Sequence, residues 1–353
     1  MDFLLDVTDL HVHFHLREGV LRAVNGVSLQ VRPNQTLGVV GESGCGKSIT
    51  AKAIMGLLPP KATITGGQVL LAPREPGGTP LELSSLKPNG KEMRGILGAD
   101  IAMIFQEPMT SFSPVHTIGN QIVESIRLHR TATRKEARDI AIETLRLVQV
   151  PMAERRVDAY PHELSGGLRQ RCMIAMALCC KPRMLVADEP TTALDVTIQA
   201  QILTLIRRLQ SELQMAVMMI THDLGVIAQV ADHVVVMYLG RVVEKADTPT
   251  LFAKPLHPYT LGLMASIPRL DQNEGTRLHS IRGSVPDPFF TPEGCPFHPR
   301  CDKFIAGTCD CGEPPELVDV APNHAVACHL FSAGTTDSGS KPTTEECTEH
   351  APA

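Results

Sequence analysis

Residues 41–48, Gly41-Glu42-Ser43-Gly44-Cys45-Gly46-Lys47-Ser48, fit the pattern G-x-x-x-x-G-K-[ST] at every specified position. Such a loop holds a polyphosphate, because backbone N–H groups and the positive end of a helix replace the water around the anion. Lys47 is then placed for the β- and γ-phosphates, and the Ser48 hydroxyl for Mg²⁺. A flexible glycine loop with a chance lysine is the bland alternative, and the flanks argue against it. Thr36 to Val40 is an apolar, β-branched run of strand length, and Ile49, Ala53, Ile54, Leu57 and Leu58 recur at helical spacing until Pro59-Pro60.

Carboxylates come next. Met184 to Ala187 is an apolar strand that ends in Asp188-Glu189. Asp188 is placed to hold a metal shell and Glu189 to act as base for a water, whereas a buried acid pair without a metal is costly. Gln106 closes the strand pattern Ile101 to Phe105, either touching ligand or simply marking a strand-to-loop boundary. His222 follows the strand Ala216 to Thr221, where a lone histidine is more often structural than catalytic. In Leu164-Ser165-Gly166-Gly167-Leu168-Arg169-Gln170-Arg171, Ser165 suits an N-cap and the two glycines permit close backbone approach, which makes a second anion site.

These groups need elements to position them. Residues 4 to 40 read as strands, with Val12, Phe14 and Leu16 facing a core and His11, His13 and His15 facing out, as a solvated sheet edge or as a metal-binding row. Phe14 is a candidate face for adenine stacking as well as a core residue. Residues 72–91 are rich in turn formers and read as a surface insertion. From about 118 to 180 the pattern is helical, with a capping box at Thr133 and Glu136 ahead of an apolar face at Ala137, Ile140, Ala141, Thr144, Leu145 and Val148. Ile198, Ile202, Leu205, Ile206, Leu209 and Leu213 give a further amphipathic helix.

Composition narrows the function. Among 353 residues, aromatics make up 4% with no Trp, and the net charge is −5, which argues against a nucleic-acid partner. The N-terminus carries acidic residues where a secretory signal needs basic ones, and no apolar run reaches the roughly 18 residues of a spanning helix. A cytoplasmic chain is expected, whose ten cysteines are reduced thiols or metal ligands. Cys172, Cys179 and Cys180 lie on a helix and read as core, while Cys45, beside helix-end amides, is a candidate reactive thiol.

The phosphate loop, Gln106, Leu164 to Gln170, Asp188-Glu189, Ala193-Leu194-Asp195 and His222, in this order, resemble the ATP-binding-cassette (ABC) ATPases over roughly residues 4–255. The resemblance implies an α/β phosphate-loop (RecA-like) core with an antiparallel β subdomain, a helical signature subdomain over about 107–180 and a small Cys-rich C-terminal extension. It also implies that ATP is contacted by Phe14, by Lys47 and by the loop backbone over Gly41, Ser43, Gly44, Cys45, Gly46, Ser48 and Ile49. Mg²⁺ would be held through Ser48, Gln106 and Asp188, with Glu189 polarising the attacking water and His222 contacting the γ-phosphate. Ser165, Gly166 and Gly167 would complete the site of a facing cassette, with Asp195 near the seam, so turnover would require a pair.

The Leu-Arg-Gln-Arg form of the signature looks like the peptide-importer branch. Residues 256–330, with His257-Pro258-Tyr259-Thr260, Gly283-Ser284-Val285-Pro286 and Gly294-Cys295-Pro296-Phe297-His298-Pro299-Arg300-Cys301, are similar to the carboxyl end of dipeptide, oligopeptide and nickel importer ATPases. That likeness implies a [4Fe–4S] cluster on Cys295, Cys301, Cys309 and Cys328, with Cys309 preferred to Cys311 for its distance to Glu313-Pro314. By thiolate count alone Zn²⁺ is equally admissible. The implied partners are a second homologous ATPase subunit, two transmembrane permeases and an extracytoplasmic solute-binding protein, at the cytoplasmic face of the inner membrane. Residues 331–353 are expected to be a disordered tail, with Cys347 a bystander.

Overall fold

The computed structural model describes residues 2–106, 111–192, 194–267 and 281–331. Ala193, the start of the helical block at 107–110, and the expected disordered tail beyond 331 with Cys347 lie outside the described residues.

Strands β1 (Leu5–Leu16) and β2 (Gly19–Val31) are followed by β3 (Thr36–Val40), β4 (Ala62–Leu71) and the short β5 (Leu81–Glu82). An antiparallel sheet runs in the order β2-β1-β4-β5. The main sheet takes β3 together with β6 (Ile101–Ile104), β7 (Met184–Asp188), β8 (Ala216–Thr221), β9 (His233–Tyr238), β10 (Arg241–Asp247), β11 (Val318–Ala321) and β12 (His324–Val326). Its order is β11-β12-β10-β9-β3-β8-β7-β6, parallel from β9 to β6 and antiparallel beyond β9. Every residue of β3, β6, β7 and β8 is buried, which explains why these segments read as continuous apolar runs without alternation. One core lies between the main sheet and the helices, around Ile104, Ile122, Leu145 and Leu185. A second lies toward the antiparallel sheet, around Leu5, Val12, Ile54 and Ile220, and a small third one joins Leu256, Val326 and Cys328.

Helix α1 (Lys47–Ile54) springs directly from the glycine loop. It stops at Met55, well before Pro59-Pro60: Gly56 takes φ +61, the left-handed conformation that closes a helix at little cost. The expected run to Leu58 is therefore too long. After α2 (Lys91–Ile96), the helical block comprises α3 (Ile118–His129), α4 (Arg134–Leu147), α5 (Ala153–Arg156) and α6 (Gly166–Leu178). The capping box is present: Glu136 N–H donates to Thr133 Oγ1 at 3.3 Å and Thr133 N–H to Glu136 Oε2 at 2.7 Å. Ala137, Ala141, Thr144, Leu145 and Val148 are buried, with Ile140 packed at the edge.

Helices α7 (Val196–Leu213), α8 (Leu224–Val230), α9 (Thr248–Ala253) and α10 (Pro258–Ala265) complete the described set. Beyond 255 the chain does not leave the main sheet, because β12 pairs with β10 through Glu244 and Val326. Glu244 is fully buried, and its carboxylate accepts from Leu256 N–H at 2.8 Å and His257 N–H at 3.0 Å and pairs with His324 Nε2 at 2.8 Å. A buried carboxyl so provided with partners is a strong positional constraint on the segment that carries them. His257 itself accepts from Tyr259 N–H at 3.0 Å as N-cap of α10, and burial lowers its pKa to about 3, so the ring stays neutral.

Candidate active site

The loop after β3 is shaped by what has no side chain. A Cβ on Gly41 would lie 2.2 Å from the Met237 carbonyl oxygen, and one on Gly46 (φ +98) 2.4 Å from that of Ala23. Lys47 is buried, and its Nζ donates to Gly41 O at 2.7 Å and Glu42 O at 2.9 Å, crossing the mouth of the loop it serves. Cys45 is 3% exposed, with Sγ 3.6 Å from Lys47 Nζ. Burial raises its thiol pKa against the opposing pull of Lys47, so the reactive-thiolate expectation is corrected: the group lies under the loop, not on its open face. Ile49 is half-buried and packs on the core, as does Phe14, which sits opposite Leu21 and Ala62 in the antiparallel sheet.

Across from the loop, Ser48 Oγ donates to Asp188 Oδ1 at 2.8 Å. Burial raises the Asp188 pKa, Ser48 acts against it, and the neighbouring Glu189 adds to it. Glu189 differs. Its backbone turns to φ +47 just past the end of β7, and its N–H bonds to Ile220 O at 2.9 Å. The carboxylate then receives Gln106 Nε2 at 3.0 Å and Thr192 Oγ1 at 2.9 Å on Oε2, and His222 Nδ1 at 3.1 Å on Oε1. Burial works to raise its pKa, but the bonds from His222 and Thr192 and the charges of His222 and Lys47 leave it below the ordinary carboxylate range. The structure thus brings Gln106, Glu189 and His222 together, and adds Thr192. Sequence reasoning missed this residue, although a hydroxyl three positions after the acid was the available signal.

Ser165 stands at the N-cap of α6 with extended backbone, yet its side chain makes no capping bond. It is exposed, as is Gly166, and these two with Gly167, Leu194, Asp195 and Ile198 border one open cleft that no residue of 41–48 lines. Asp195 caps α7, accepting from Ile198 N–H at 2.9 Å. Within one chain, the signature glycines and the phosphate loop face separate spaces.

Cys295, Cys301, Cys309 and Cys328 border a single narrow cavity with His257 and His329, and Cys311 does not. The Cys311 thiol bonds instead to Gly307 O at 3.2 Å. Burial lifts the Cys295 thiol to about 11, with the other three thiols adding to the effect. His329 Nε2 is buried with no hydrogen-bond partner among the described residues. Even so, no group of three His, Cys, Asp or Glu side chains among the described residues is placed to hold a metal ion. The thiols share a cavity without closing to ligand spacing. Cys172 and Cys179 are core residues as expected, Cys180 is half-buried at the edge of that core, and burial raises the Cys172 thiol to about 12.

A strand-loop-helix phosphate cradle on a parallel sheet, facing a second strand that presents its acids at the same end, is the fold of the phosphate-loop nucleotide hydrolases. The profile of the family described as "ABC transporter" matches residues 24–192, and that of the "Oligopeptide/dipeptide transporter, C-terminal region" matches 243–309. The chain is 48% identical to a dipeptide transport ATP-binding protein of Bacillus subtilis, over 94% of this chain and 95% of that one. It is 45% identical to an oligopeptide transport ATP-binding protein of Salmonella typhimurium, over 92% and 93%. Among solved structures, a dimeric ATP-binding cassette in a post-hydrolysis state bound to ADP and Pi superposes with TM-score 0.60 at 26% identity, covering 69% of this chain and 98% of that one. The chain belongs to the ABC transporter family, as an ATP-hydrolysing cassette.

Proposed function

We propose that this chain powers the import of di- or oligopeptides, hydrolysing ATP at the cytoplasmic face of the membrane in partnership with permease subunits and an external solute-binding protein. One observation carries the reading. The segment that matches the peptide-transporter C-terminal region, 243–309, begins within β10, a strand of the hydrolase sheet, and the chain just beyond it returns to pair with β10 as β12, so peptide-importer character and nucleotide machinery belong to one body. Among the described residues no helix is long and apolar enough to cross a membrane, so the reading assigns the crossing to partners.

In this reading the unit boundaries are 1–255 for the cassette, with a helical subdomain over about 107–180, 256–330 for the extension and 331–353 for the tail. Nucleotide entry draws Lys47 Nζ from the Gly41 and Glu42 carbonyls onto the phosphates. Ser48 and Asp188, already in contact, would hold Mg²⁺ with Gln106 nearby; the ion supplies charge neutralisation of the phosphates. Glu189, ionised and fixed by three donors, orients and polarises the attacking water, and His222 reaches the γ-phosphate. Ser165, whose hydroxyl is not spent on its own helix, completes the site of a second cassette, a homologous chain or another copy of this one.

The extension would bind a [4Fe–4S] cluster, with Zn²⁺ the alternative. Support comes from four thiols on one cavity, Cys311 bonded to Gly307 O and not bordering it, and the buried, unpartnered His329 Nε2. A cation neutralises thiolates that otherwise repel one another and would tie Cys295, Cys301, Cys309 and Cys328 into one anchor. Iron, sulfide and zinc analysis of anaerobically purified chain decides this: iron with sulfide supports the cluster, and one equivalent of zinc without iron overturns it.

Transport is tested by uptake of labelled peptides into vesicles holding the reconstituted complex, with Glu189→Gln as control. ATP-dependent accumulation in the wild type and none in the variant is expected. Uptake of nickel chelates but no peptide, or ATP-dependent binding of DNA or ribosomes without uptake, would overturn it.

A further inference from the structure

The cassette and its extension meet at a place the transport reading leaves unexplained. Glu42, the second residue of the phosphate loop, has all three of its polar points occupied, and two are occupied from beyond residue 255. Its N–H donates to Tyr259 Oη at 2.7 Å. Its carboxylate receives both arms of the Arg300 guanidinium, NH2 to Oε1 at 3.0 Å and NH1 to Oε2 at 2.6 Å. Its carbonyl accepts from Lys47 Nζ at 2.9 Å and Cys45 N–H at 3.4 Å.

Arg300 is well made for a fixed position. Its side chain is 4% exposed, and Nε donates to Arg282 O at 3.0 Å. The guanidinium lies 5.8 Å from the Tyr238 ring centroid and 6.0 Å from that of Phe297. Tyr238, Tyr259 and Phe297 pack on one another with centroids 4.8 to 5.4 Å apart. A bidentate arginine pair on an aromatic floor fixes distance and orientation together. Arg300 also lies on the short 3-10 turn His298–Arg300, between Cys295 and Cys301 of the cysteine cavity.

We propose that Arg300 and Tyr259 are positioning residues for the nucleotide site: the extension clamps Glu42, and Glu42 sets the phosphate loop in the shape that receives ATP. When Lys47 moves to the phosphates, the Glu42 carbonyl loses its strongest internal partner. The two clamps from the extension then keep the peptide from turning with it. This inference rests on residues 41–48 being the nucleotide site.

The test is nucleotide affinity and steady-state hydrolysis of the full chain carrying Tyr259→Phe, Arg300→Met or Arg300→Lys. Tyr259→Phe removes one hydroxyl and keeps the ring stack. Arg300→Met removes a buried cation and leaves Glu42, whose side chain is 28% exposed, able to take water. We expect ATP to bind about two- to tenfold more weakly to Tyr259→Phe, the equivalent of one net hydrogen bond, and more weakly still to Arg300→Met. KM should rise in proportion, with kcat at saturating ATP within twofold of wild type. Arg300→Lys, which reaches one oxygen only, should recover part of the loss, and Glu42→Gln should add nothing to Arg300→Met. Wild-type affinity in Tyr259→Phe and in every Arg300 variant that folds would overturn the clamp, as would equal losses of kcat without a change in KM. Wild-type chain that binds no ATP would overturn instead the nucleotide reading beneath it.

Discussion

Replacing Glu189 by Gln separates chemistry from binding, and the structure says how cleanly. The carboxylate takes bonds from Gln106 and Thr192 on one oxygen and from His222 on the other. A glutamine can keep the first two on its carbonyl oxygen and point its NH2 group at His222 Nδ1, provided the imidazole adopts the tautomer that accepts there. No donor is then stranded, so the melting temperature should stay within about 2 °C of wild type. What disappears is the negative charge that polarises water. General-base catalysis contributes roughly 10² to 10⁴ in rate, so phosphate release at saturating MgATP should fall by that factor, about 3 to 5 kcal/mol of barrier. Nucleotide binding, measured separately, should be unchanged. Because its bonds and neighbouring charges hold Glu189 below the ordinary carboxylate range, this base stays ionised as pH falls. The hydrolysis rate should therefore show no acid limb from it above about pH 5. Hydrolysis within threefold of wild type, or an acid limb centred near pH 6 that the variant abolishes, would refute the assignment.

Ser165→Ala should cost less than about 0.5 kcal/mol of stability, since no cap bond is lost, while hydrolysis by the assembled pair drops at least tenfold; denaturant melts and phosphate release give the two readings. Asp188→Asn should abolish Mg²⁺-dependent hydrolysis yet leave or raise the nucleotide-free melting temperature. Burial raises the folded pKa of Asp188, so stability falls as pH climbs from the unfolded value through the folded one, and the gain from Asn should grow over that window and vanish as pH falls below the unfolded value. Glu244→Ala strands two buried N–H groups and His324, and should cost about 3 to 5 kcal/mol, read by chemical denaturation together with proteolysis after residue 255.

Most of the architecture was legible because its signals are local. The buried strands of the main sheet read as apolar runs, and the capping box at Thr133 needs only a spacing of three. The end of α1 was misplaced because two breakers competed, and the nearer, Gly56, acts through a left-handed turn that composition does not announce. Cys45 was misjudged for a related reason. A thiol next to helix-end amides is activated only on the face that solvent reaches, and which face it takes depends on Met237 and Gly41 packed above it. Thr192 and the Glu42 clamp escaped entirely. The bond from Arg300 to Glu42 spans 258 positions and relies on an ion pair that either residue could have made with many others.

The adjacent acids show how much a single backbone turn decides. Asp188 ends a strand with all its residues buried and meets the Ser48 hydroxyl, so its charge is poorly solvated and waits for a cation. Glu189, one residue on, leaves the strand at φ +47 and finds three donors. At that turn its carboxylate meets Gln106 and His222, while the Asp188 side chain meets Ser48. The turn therefore separates two like carboxyls into a metal-seeking group and a base that is ionised in advance, which is how neighbouring acids acquire different tasks. A positive φ at a non-glycine residue is strained by about 1 to 3 kcal/mol. Here the Glu189 N–H bond to Ile220 O and the three side-chain donors offset that strain.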